Sequence, residues 1–411
     1  MSQNGAKNEE DKRGDNADTK NPFTRYYAQL LHQQNMMQDT VRTGTYQNAF
    51  LTHKIDFQDK VVLDVGTGSG ILAFFAVQAG ARLVYAAEAS GMAKHAETLV
   101  KRNGMEGKII VVNKVVEEME LPEKVDIIVS EPIGFMLVHE RMIETYLVAR
   151  DKWLKPGGLM FPNAGEIVMC PFTDENLYNE QLAKTSFWSS STDFYGMDLT
   201  SLTEAALAEF FAQPVVGYFY PACLLAPTAP KRYRVDFTTV TCEELKAFEV
   251  PYSFVGEKTA IMHGMGCWFD IEFAGSEKSG AGPVVLSTSP AARGTHWYQC
   301  RLLLPQPIAI NRGQTVSGSL KFEANDQYSY DLMFMARLDG TGIECASTIH
   351  LQDQSYQYLS HPVAPVVPVV PGVVGGGGED LTAGLGGGGL GAVRGGGGVA
   401  GDWPAAMNTT G

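Results

Sequence analysis

The most constraining feature of this chain is a series of strand-like and helix-like segments that alternate between residues 60 and 162. It begins with the apolar run VVLDV and the turn GTGSG. It continues through ILAFFAVQAG, LVYAAE, MAKHAETLVKRNG, KIIVV, VDIIVS, a helix from about Arg141, and GGLMF. Continuous apolar strands separated by helices of this length are typical of a parallel sheet covered on both faces. The pattern therefore predicts a doubly wound, Rossmann-like α/β domain over residues 60–162.

The pattern changes on either side of that domain. Residues 1–20 are polar and charged, which predicts a disordered lead, and residues 21–59 have apolar side chains at helical spacing, which predicts one or two amphipathic helices. Between residues 163 and 352, short β-rich runs predict an antiparallel β-barrel domain, interrupted by a helix-favouring arm at about 187–214. Residues 353–411 are rich in Pro and Gly, which predicts a disordered tail.

Composition excludes several classes of function. The net charge of -14 argues against general binding to nucleic acid or to an anionic membrane, although acidic proteins often owe their charge to solubility alone. The six cysteines are spread without a CxxC pair or a histidine cluster, so we expect no metal site and no disulfide framework. We find no signal-peptide pattern and no apolar run of 18 residues, which leaves the cytosol or the nucleus.

The glycine turn after the first strand predicts a ligand. Gly66, Gly68 and Gly70 allow the backbone to turn sharply and to approach a ligand closely. A dinucleotide fingerprint needs its third glycine at the position of Ile71, and a P-loop needs a Gly-Lys-Ser/Thr ending; both are missing. GxGxG after an Asp-bearing strand is instead the S-adenosylmethionine (AdoMet) form of the loop, although such turns also have purely structural uses.

Carboxylates follow the next three strands. Glu88, 22 residues after Gly66, can accept both hydroxyls of a ribose; Glu117 can meet an adenine amino group, and Glu131 follows the fourth strand. The carboxyl ends of the strands are where ligands bind in open α/β sheets. Each residue could instead be a solvated loop glutamate, above all Glu117, but together they favour a nucleotide-like cofactor.

The stretch SEPIGFMLVHE places Glu131 and Glu140 at the two ends of a mostly apolar loop. Two carboxylates beside a methyl donor suit a guanidinium, which is planar, offers five donors and stays charged. Bidentate pairing would orient this group for in-line attack on a methyl group. The alternative is that the glutamates cap the following helix, which applies better to Glu140 than to Glu131.

At SEPIGFMLVHE, VLDVGTGSGIL, QQNMMQDTVRTGTY and THWYQ, the sequence resembles the protein arginine methyltransferases over about residues 23–352. Pro132 resembles the coactivator-associated branch, because most relatives have Trp there. The resemblance implies a type I AdoMet-dependent enzyme that forms mono- and asymmetric dimethylarginine on histones and other nuclear proteins. It further implies a role in transcription, a location in the nucleus and cytoplasm, and a homodimer formed through the arm.

The resemblance also implies roles for individual residues. Glu131 and Glu140 clamp the substrate arginine, and His296 closes the same pocket. Arg42 pairs with the AdoMet carboxylate, and Met36 restricts the second methyl group. The full set of implied cofactor-binding residues is Tyr27, Gln33, Met36, Arg42, Gly66, Thr67, Gly68, Gly70, Glu88, Glu117 and Thr145. Without the resemblance, His296 would be interpreted as a structural residue, Arg42 equally well as a surface charge, and Met36 as core.

Two other functions remain open. One is an AdoMet methyltransferase that acts on a small molecule, against which the large second domain and the paired carboxylates speak. The other is a catalytically weak scaffold. The retained Glu131 and Glu140 argue against it, but the first helix keeps only Tyr27 of the family's Tyr-Phe-x-x-Tyr pattern.

Overall fold

The structure is a computed structural model, and it describes residues 21–357. The predicted disordered lead, residues 1–20, and the predicted tail from residue 358 onward lie outside the described residues. Within residues 21–357, we find no helix that is both long enough and apolar enough to cross a membrane.

The N-terminal region consists of four short helices instead of the one or two that the sequence predicts. Their bounds are α1 Pro22–Tyr27, α2 Leu30–Gln38, α3 Thr40–Thr52 and α4 Lys54–Phe57. The break between α2 and α3 is at Asp39, whose backbone is extended (φ -67°, ψ 92°) and whose side chain accepts a hydrogen bond from the Arg42 N–H. An Asp in this position caps a new helix and does not continue the old one.

The predicted parallel sheet is confirmed. Its elements are β1 Val61–Val65, α5 Ile71–Gln78, β2 Leu83–Ala87, α6 Ala93–Arg102, β3 Ile109–Val112, β4 Val125–Ser130, α7 Met142–Trp153 and β5 Leu154–Phe161. All pairings are parallel, in the order β3-β2-β1-β4-β5. The order reverses between β1 and β4, where Val65 pairs with Ser130, so the loops that follow these two strands lie side by side. Ligands bind in α/β sheets at such a switch point.

A helical arm separates the first two strands of the second domain. It lies between β6 Ala164–Phe172 and β7 Val215–Gly217 and contains α8 Glu175–Ala183, α9 Ser186–Ser190, a 3₁₀ turn Thr200–Leu202 and α10 Thr203–Phe211. The helical part begins at Glu175, earlier than the predicted start near residue 187. Its start is set by Asp174, whose side chain accepts a hydrogen bond from the Leu177 N–H.

The rest of the second domain is the predicted barrel-like set of strands. Its elements are β8 Lys231–Asp236, α11 Cys242–Lys246, β9 Ala247–Val255, β10 Ala260–Phe273, β11 Val284–Ser287, β12 Gln299–Ile310, β13 Thr315–Ala324, β14 Tyr330–Leu338, β15 Glu344–His350 and β16 Ser355–Tyr356. One sheet has the order β16-β7-β12-β10-β6-β8 with β11 beside β10, and the other β15-β14-β13-β9. The predicted boundary at residue 352 is wrong, because β16 pairs with β7 beyond it.

Candidate active site

The glycine loop, residues 66–70, follows β1 and has the backbone that its sequence predicts. Gly66, Gly68 and Gly70 have φ of 67°, 56° and 93°, a conformation that favours glycine. A Cβ on Gly68 would lie 2.6 Å from Gln33 Oε1, the same atom that accepts a hydrogen bond from the Ser69 N–H at 3.1 Å. The N-terminal helices are therefore packed directly on the loop.

Glu88 lies beside the glycine loop at the carboxyl end of β2. Its Oε2 accepts from the Gly68 N–H at 2.8 Å, and its Oε1 accepts from the Ser90 N–H at 2.9 Å. These bonds orient the carboxylate and leave further lone pairs for hydroxyl donors. Thr67, within the loop, is buried and donates from Oγ1 to Asp64 Oδ2 at 2.5 Å.

The double-glutamate loop, residues 131–140, follows β4. Glu131 Oε2 accepts from Arg42 Nη2 at 2.8 Å and from Arg42 Nε at 3.1 Å, while its Oε1 accepts from the Ile133 N–H at 3.1 Å. The Arg42 and Glu131 side chains are only 7% and 9% exposed. Burial alone would lower the pKa of Arg42, but the charge and hydrogen bonds of Glu131, together with smaller contributions from Tyr46 and Asp39, outweigh burial and raise the pKa. Arg42 is therefore a buried cation of the site, and the surface-charge interpretation is wrong.

Glu140, at the other end of the loop, meets the first helix. Tyr27 donates its hydroxyl to Glu140 Oε1 at 2.9 Å. Burial, with a smaller contribution from the charge of Glu131, raises the pKa of Glu140 to about 8, so the buried carboxyl is mostly protonated at neutral pH. The N-cap residue of α7 is Arg141, whose side chain makes no capping hydrogen bond. The structure therefore gives no support to helix capping by Glu140.

His296 reaches the site from the second domain. Its Nδ1 lies 2.7 Å from Asp39 Oδ2, and its backbone N–H donates to the same oxygen at 2.8 Å. Burial would raise the pKa of Asp39, but the hydrogen bonds from His296 and from the Arg42 N–H hold it below its usual value. The neighbouring Trp297 donates from Nε1 to the Ile133 carbonyl at 3.0 Å, which ties this segment to the double-glutamate loop.

Sequence reasoning missed Asp39. The signal that could have found it is an Asp directly before the segment TVRTG, which is a helix N-cap pattern. That pattern predicts the helix cap but not the contact of Asp39 with His296, because His296 is 257 residues away in the chain.

Three other predicted cofactor-binding residues, Glu117, Thr145 and Met36, have weaker connections to the two loops of the site. The Glu117 side chain is exposed, and its carbonyl accepts from Lys152 Nζ at 3.2 Å; Thr145 is half-buried on α7. The Met36 carbonyl lies 3.5 Å from Arg42 Nη1, while the sulfur that meets the glycine loop belongs to Met37, 3.5 Å from Ser69 Oγ. The roles of Glu117, Thr145 and Met36 stay predictions.

Fold and site together define an α/β protein in which a glycine-rich loop and a loop with two carboxyl groups follow neighbouring strands at the switch point of a parallel sheet. Comparison with known families agrees with this class. Residues 163–339 match the arginine methyltransferase oligomerization subdomain, and residues 47–161 match the ribosomal protein L11 methyltransferase (PrmA) family.

Solved structures extend the comparison over most of the chain. The Trypanosoma brucei PRMT1 enzyme-prozyme heterotetrameric complex with AdoHcy matches with a TM-score of 0.70 and 30% identity, covering 79% of this chain and 99% of that one. Arabidopsis thaliana protein arginine methyltransferase 10 matches with a TM-score of 0.70 and 31% identity, covering 80% and 99%. The chain belongs to the protein arginine methyltransferase family.

Curated relatives are more similar in sequence. Histone-arginine methyltransferase CARMER of Drosophila persimilis is 49% identical over 341 residues, or 83% of this chain and 63% of that protein. The protein of the same name from Drosophila virilis is 50% identical over 341 residues, or 83% and 62%. The chain thus spans less than two thirds of the length of these relatives.

Proposed function

We propose that this protein is an AdoMet-dependent protein arginine N-methyltransferase that acts on histones and other nuclear proteins. The observation that carries the proposal is the pair of carboxyl groups on one loop: Glu131 follows β4 beside the glycine loop at the switch point of the sheet, and Glu140 is near enough for the Glu131 charge to raise its pKa. The histone-arginine methyltransferases at about half identity support the substrate class.

The residues around the glycine loop fit AdoMet. Glu88 would accept the ribose hydroxyls, and Arg42, a buried cation 2.8 Å from Glu131, would pair with the AdoMet carboxylate. Glu117 and Thr145 would contact the adenine end. Gly68 has no Cβ, so the Gln33 side chain, itself a proposed cofactor contact, can approach the loop backbone closely. When bound, AdoMet supplies an electrophilic methyl group on a sulfonium.

The two glutamates would hold the substrate guanidinium. Burial keeps the Glu140 carboxyl mostly protonated without a substrate, and an incoming cation favours its ionised form. Binding would therefore release a proton at neutral pH. Glu131 and Glu140 together would neutralise the guanidinium, fix its plane and leave one nitrogen directed at the methyl group.

His296 would accept or relay the proton that the methylated nitrogen loses. With Nδ1–H donated to Asp39, the imidazole has its lone pair on Nε2, where it can accept a proton. We assign the tautomer from the hydrogen bond to Asp39.

The test is mass spectrometry of histone and arginine-peptide substrates after incubation with the purified protein and AdoMet. We expect mono- and asymmetric dimethylarginine, a type I product, which would also support the role of Met36. Symmetric dimethylarginine would contradict only the type I assignment and would leave the proposed arginine methylation intact. Methylation of free metabolites but not of peptides would favour a small-molecule methyltransferase, and failure to bind AdoMet would favour a scaffold.

Glu131→Gln is the matched variant for the clamp. We expect it to reduce methyl transfer by at least about 1000-fold, because a neutral amide cannot stabilise the guanidinium charge, while AdoMet binding is largely retained. Glu249→Gln, on the second domain, is the control and should change neither quantity. If Glu131→Gln lost AdoMet binding and folding together, the residue would have a structural role instead.

We also propose that the chain forms a homodimer through its arm. The arm exposes large apolar side chains, namely Phe187, Phe194, Tyr195, Met197 and Leu202, and it lies within the segment that matches an oligomerization subdomain. Tyr195 is 91% exposed, so a second copy is the occupant that would bury it. Light scattering should give a dimer for the protein and a monomer for Tyr195→Asp with Met197→Asp. An unchanged mass would contradict the arm contact.

A function on histones further implies a role in transcription and a location in the nucleus and cytoplasm. Fluorescence imaging of the tagged protein tests the location, and exclusion from the nucleus would contradict the histone assignment.

A further inference from the structure

One turn of the second domain contacts the residues on both sides of Glu140. This anchor turn, residues 325–329, connects β13 to β14. His139 Nδ1 lies 2.9 Å from Ser329 Oγ, and Arg141 Nη1 donates to the Asn325 carbonyl at 2.9 Å. The residue before Glu140 and the residue after it are therefore both tied to the same few residues, almost two hundred positions away in the chain.

The anchor turn is itself well fixed. The Asn325 N–H donates to the Ser329 carbonyl at 2.9 Å, and Asn325 Oδ1 accepts from the N–H groups of Gln327 and Ser329 at 3.1 and 3.2 Å. Asn325 Nδ2 also donates to Gln352 Oε1 at 3.0 Å. An Asn side chain that bonds the backbone ahead of it in this way holds a turn in one conformation.

The His139 ring has a defined orientation. It lies 5.8 Å from the Phe23 ring and 5.9 Å from the Phe135 ring, and its Nε2 is 3.2 Å from Gln354 Nε2. An amide N–H of Gln354 that donates to Nε2 leaves the proton on Nδ1, from which His139 donates to Ser329. Burial lowers the pKa of His139 to about 4, so the ring stays neutral at neutral pH.

Glu140 has a backbone conformation that needs such support. Its φ is 72° and that of Arg141 is 56°, two successive left-handed residues without glycine. Non-glycine residues persist in this region only where their surroundings hold them. Arg141 is fixed further by two hydrogen bonds to Glu144, from Nε at 2.6 Å and from Nη2 at 3.0 Å.

We propose that the anchor turn is a positioning element for Glu140 and acts on it through His139 and Arg141. The proposal rests on the proposed role of Glu140 as a substrate clamp. Because both flanking residues are bonded to one fixed turn, the Glu140 carboxyl is kept at the position in which it accepts a hydrogen bond from the Tyr27 hydroxyl. His139 and Ser329 act through Glu140 and are positioning residues.

The first test does not depend on activity. The titration of the Glu140 carboxyl is followed by infrared difference spectroscopy against Glu140→Gln, in the full chain and in the variants Ser329→Ala and His139→Phe. A looser loop should admit water to the Glu140 carboxyl. The pH midpoint of its titration should therefore fall by about half a pH unit or more in both variants. The matched control is Thr341→Ala, which removes a turn hydroxyl that donates to the Leu338 carbonyl at 2.7 Å in the same sheet but has no link to the loop.

The second test separates kcat from KM on an arginine peptide. We expect Ser329→Ala to lower kcat about five- to tenfold with AdoMet affinity unchanged, because a small displacement of the clamp mainly affects the reacting geometry. His139→Phe keeps a ring of similar size between Phe23 and Phe135 but has no donor. The double variant should lose no more than His139→Phe alone, because both substitutions break the same link.

Two results would overturn the proposal. One is a Glu140 midpoint and a kcat that stay at the wild-type values in both single variants. The other is a double variant whose loss is the product of the two single losses. A shifted midpoint together with full activity of Glu140→Gln would support the positioning by the turn and would instead contradict the clamp role of Glu140.

Discussion

The glycine loop and the double-glutamate loop lie side by side at the ends of β1 and β4, but they reach their shapes differently. In the glycine loop, every left-handed backbone position is a glycine: Gly66, Gly68 and Gly70. In the double-glutamate loop, the left-handed positions are Met136, Leu137 and Glu140, followed by Arg141. Such positions cost on the order of 1 kcal/mol or more each for residues with a Cβ. The first loop is therefore shaped by its own sequence, and the second is held by the rest of the fold.

The contacts of the two loops agree with this difference. The glycine loop bonds to Glu88, directly after the adjacent strand and 20 residues away, and to Gln33 on α2. The double-glutamate loop is held by Trp297 at Ile133 and by the anchor turn at His139. A substitution that changes one loop should therefore change one of the two proposed functions, cofactor binding or methyl transfer, and leave the other.

The largest effect should come from Gly134→Ala in the double-glutamate loop. A Cβ on Gly134 would lie 2.2 Å from the carbonyl oxygen and 2.7 Å from the carbonyl carbon of His139. Because these are backbone atoms of the residue next to Glu140, the loop must move. A displacement of this size should lower kcat by about 100-fold or more. We expect AdoMet affinity, measured by calorimetry, to change by less than about threefold.

Gly91→Ala is the matched control for Gly134→Ala. A Cβ on Gly91 meets no atom within 4 Å, and its φ is not in the left-handed region. It should leave kcat and affinity unchanged. If Gly134→Ala weakened AdoMet binding as strongly as it lowered kcat, the two loops would not be separable.

The opposite result is expected for Gly68→Ala in the glycine loop. The atoms nearest to its Cβ would belong to the flexible Gln33 side chain, at 2.6 Å, while its φ of 56° is strained for Ala. AdoMet binding should weaken about tenfold, which corresponds to the roughly 1 to 2 kcal/mol cost of a left-handed residue. At saturating AdoMet, kcat should stay close to the wild-type value.

Gly104→Ala separates backbone strain from ligand contact. Its φ is 64° and its Cβ would meet nothing within 4 Å, so it carries the same conformational cost at the end of α6, outside both loops. It should lower the melting temperature without changing AdoMet affinity. An equal loss of affinity in both variants would show that global destabilisation, not the loop, weakens binding.

The same difference explains how much could be predicted from the sequence. The alternating apolar segments and GTGSG determine the parallel sheet and place Glu88 and Glu131, because the carboxyl ends of parallel strands meet at one edge. Spacing could not predict that Tyr27 meets Glu140 or that Arg42 meets Glu131, because these pairs are 113 and 89 residues apart. The family resemblance supplied those residues, but it gave Tyr27 and Arg42 to the cofactor and did not predict their bonds to the glutamates. Asp39 and the anchor turn depend on long-range packing and have no local signal beyond the helix cap.

A smaller effect is expected on stability when Glu140 is neutralised. Burial raises the pKa of Glu140 from an ordinary value near 4.5 to about 8. The folded protein therefore binds this proton more tightly than the unfolded chain, and stability is lost as pH rises from about 4.5 to 8. Glu140→Gln removes this titration, so its melting temperature should exceed that of the wild type by an amount that grows across this range. Thermal unfolding at pH 5 and pH 8 measures it.

Glu244→Gln is the control for that measurement. Glu244 lies at the surface, and hydrogen bonds from Thr241 lower its pKa, so its contribution to stability is lost as pH falls. Its variant should be relatively less stable at high pH, the opposite sign to Glu140→Gln. The same sign in both variants would mean that the burial of Glu140 is not the cause.

The smallest effect is expected for Gly44, which lies outside both loops. Gly44 is an exposed residue in the middle of α3, the helix that contains Arg42, and a Cβ there would meet no atom within 4 Å. Ala in a helix interior is favoured over Gly by about 0.5 to 1 kcal/mol, so Gly44→Ala should raise the melting temperature by about 1 to 4 °C and leave kcat and AdoMet affinity unchanged. A gain in stability with a loss of methyl transfer would show that α3 must bend during the reaction. In that case the fixed pairing of Arg42 with Glu131 would describe only one state of the site, and the support of the double-glutamate loop would have to include the movement of α3.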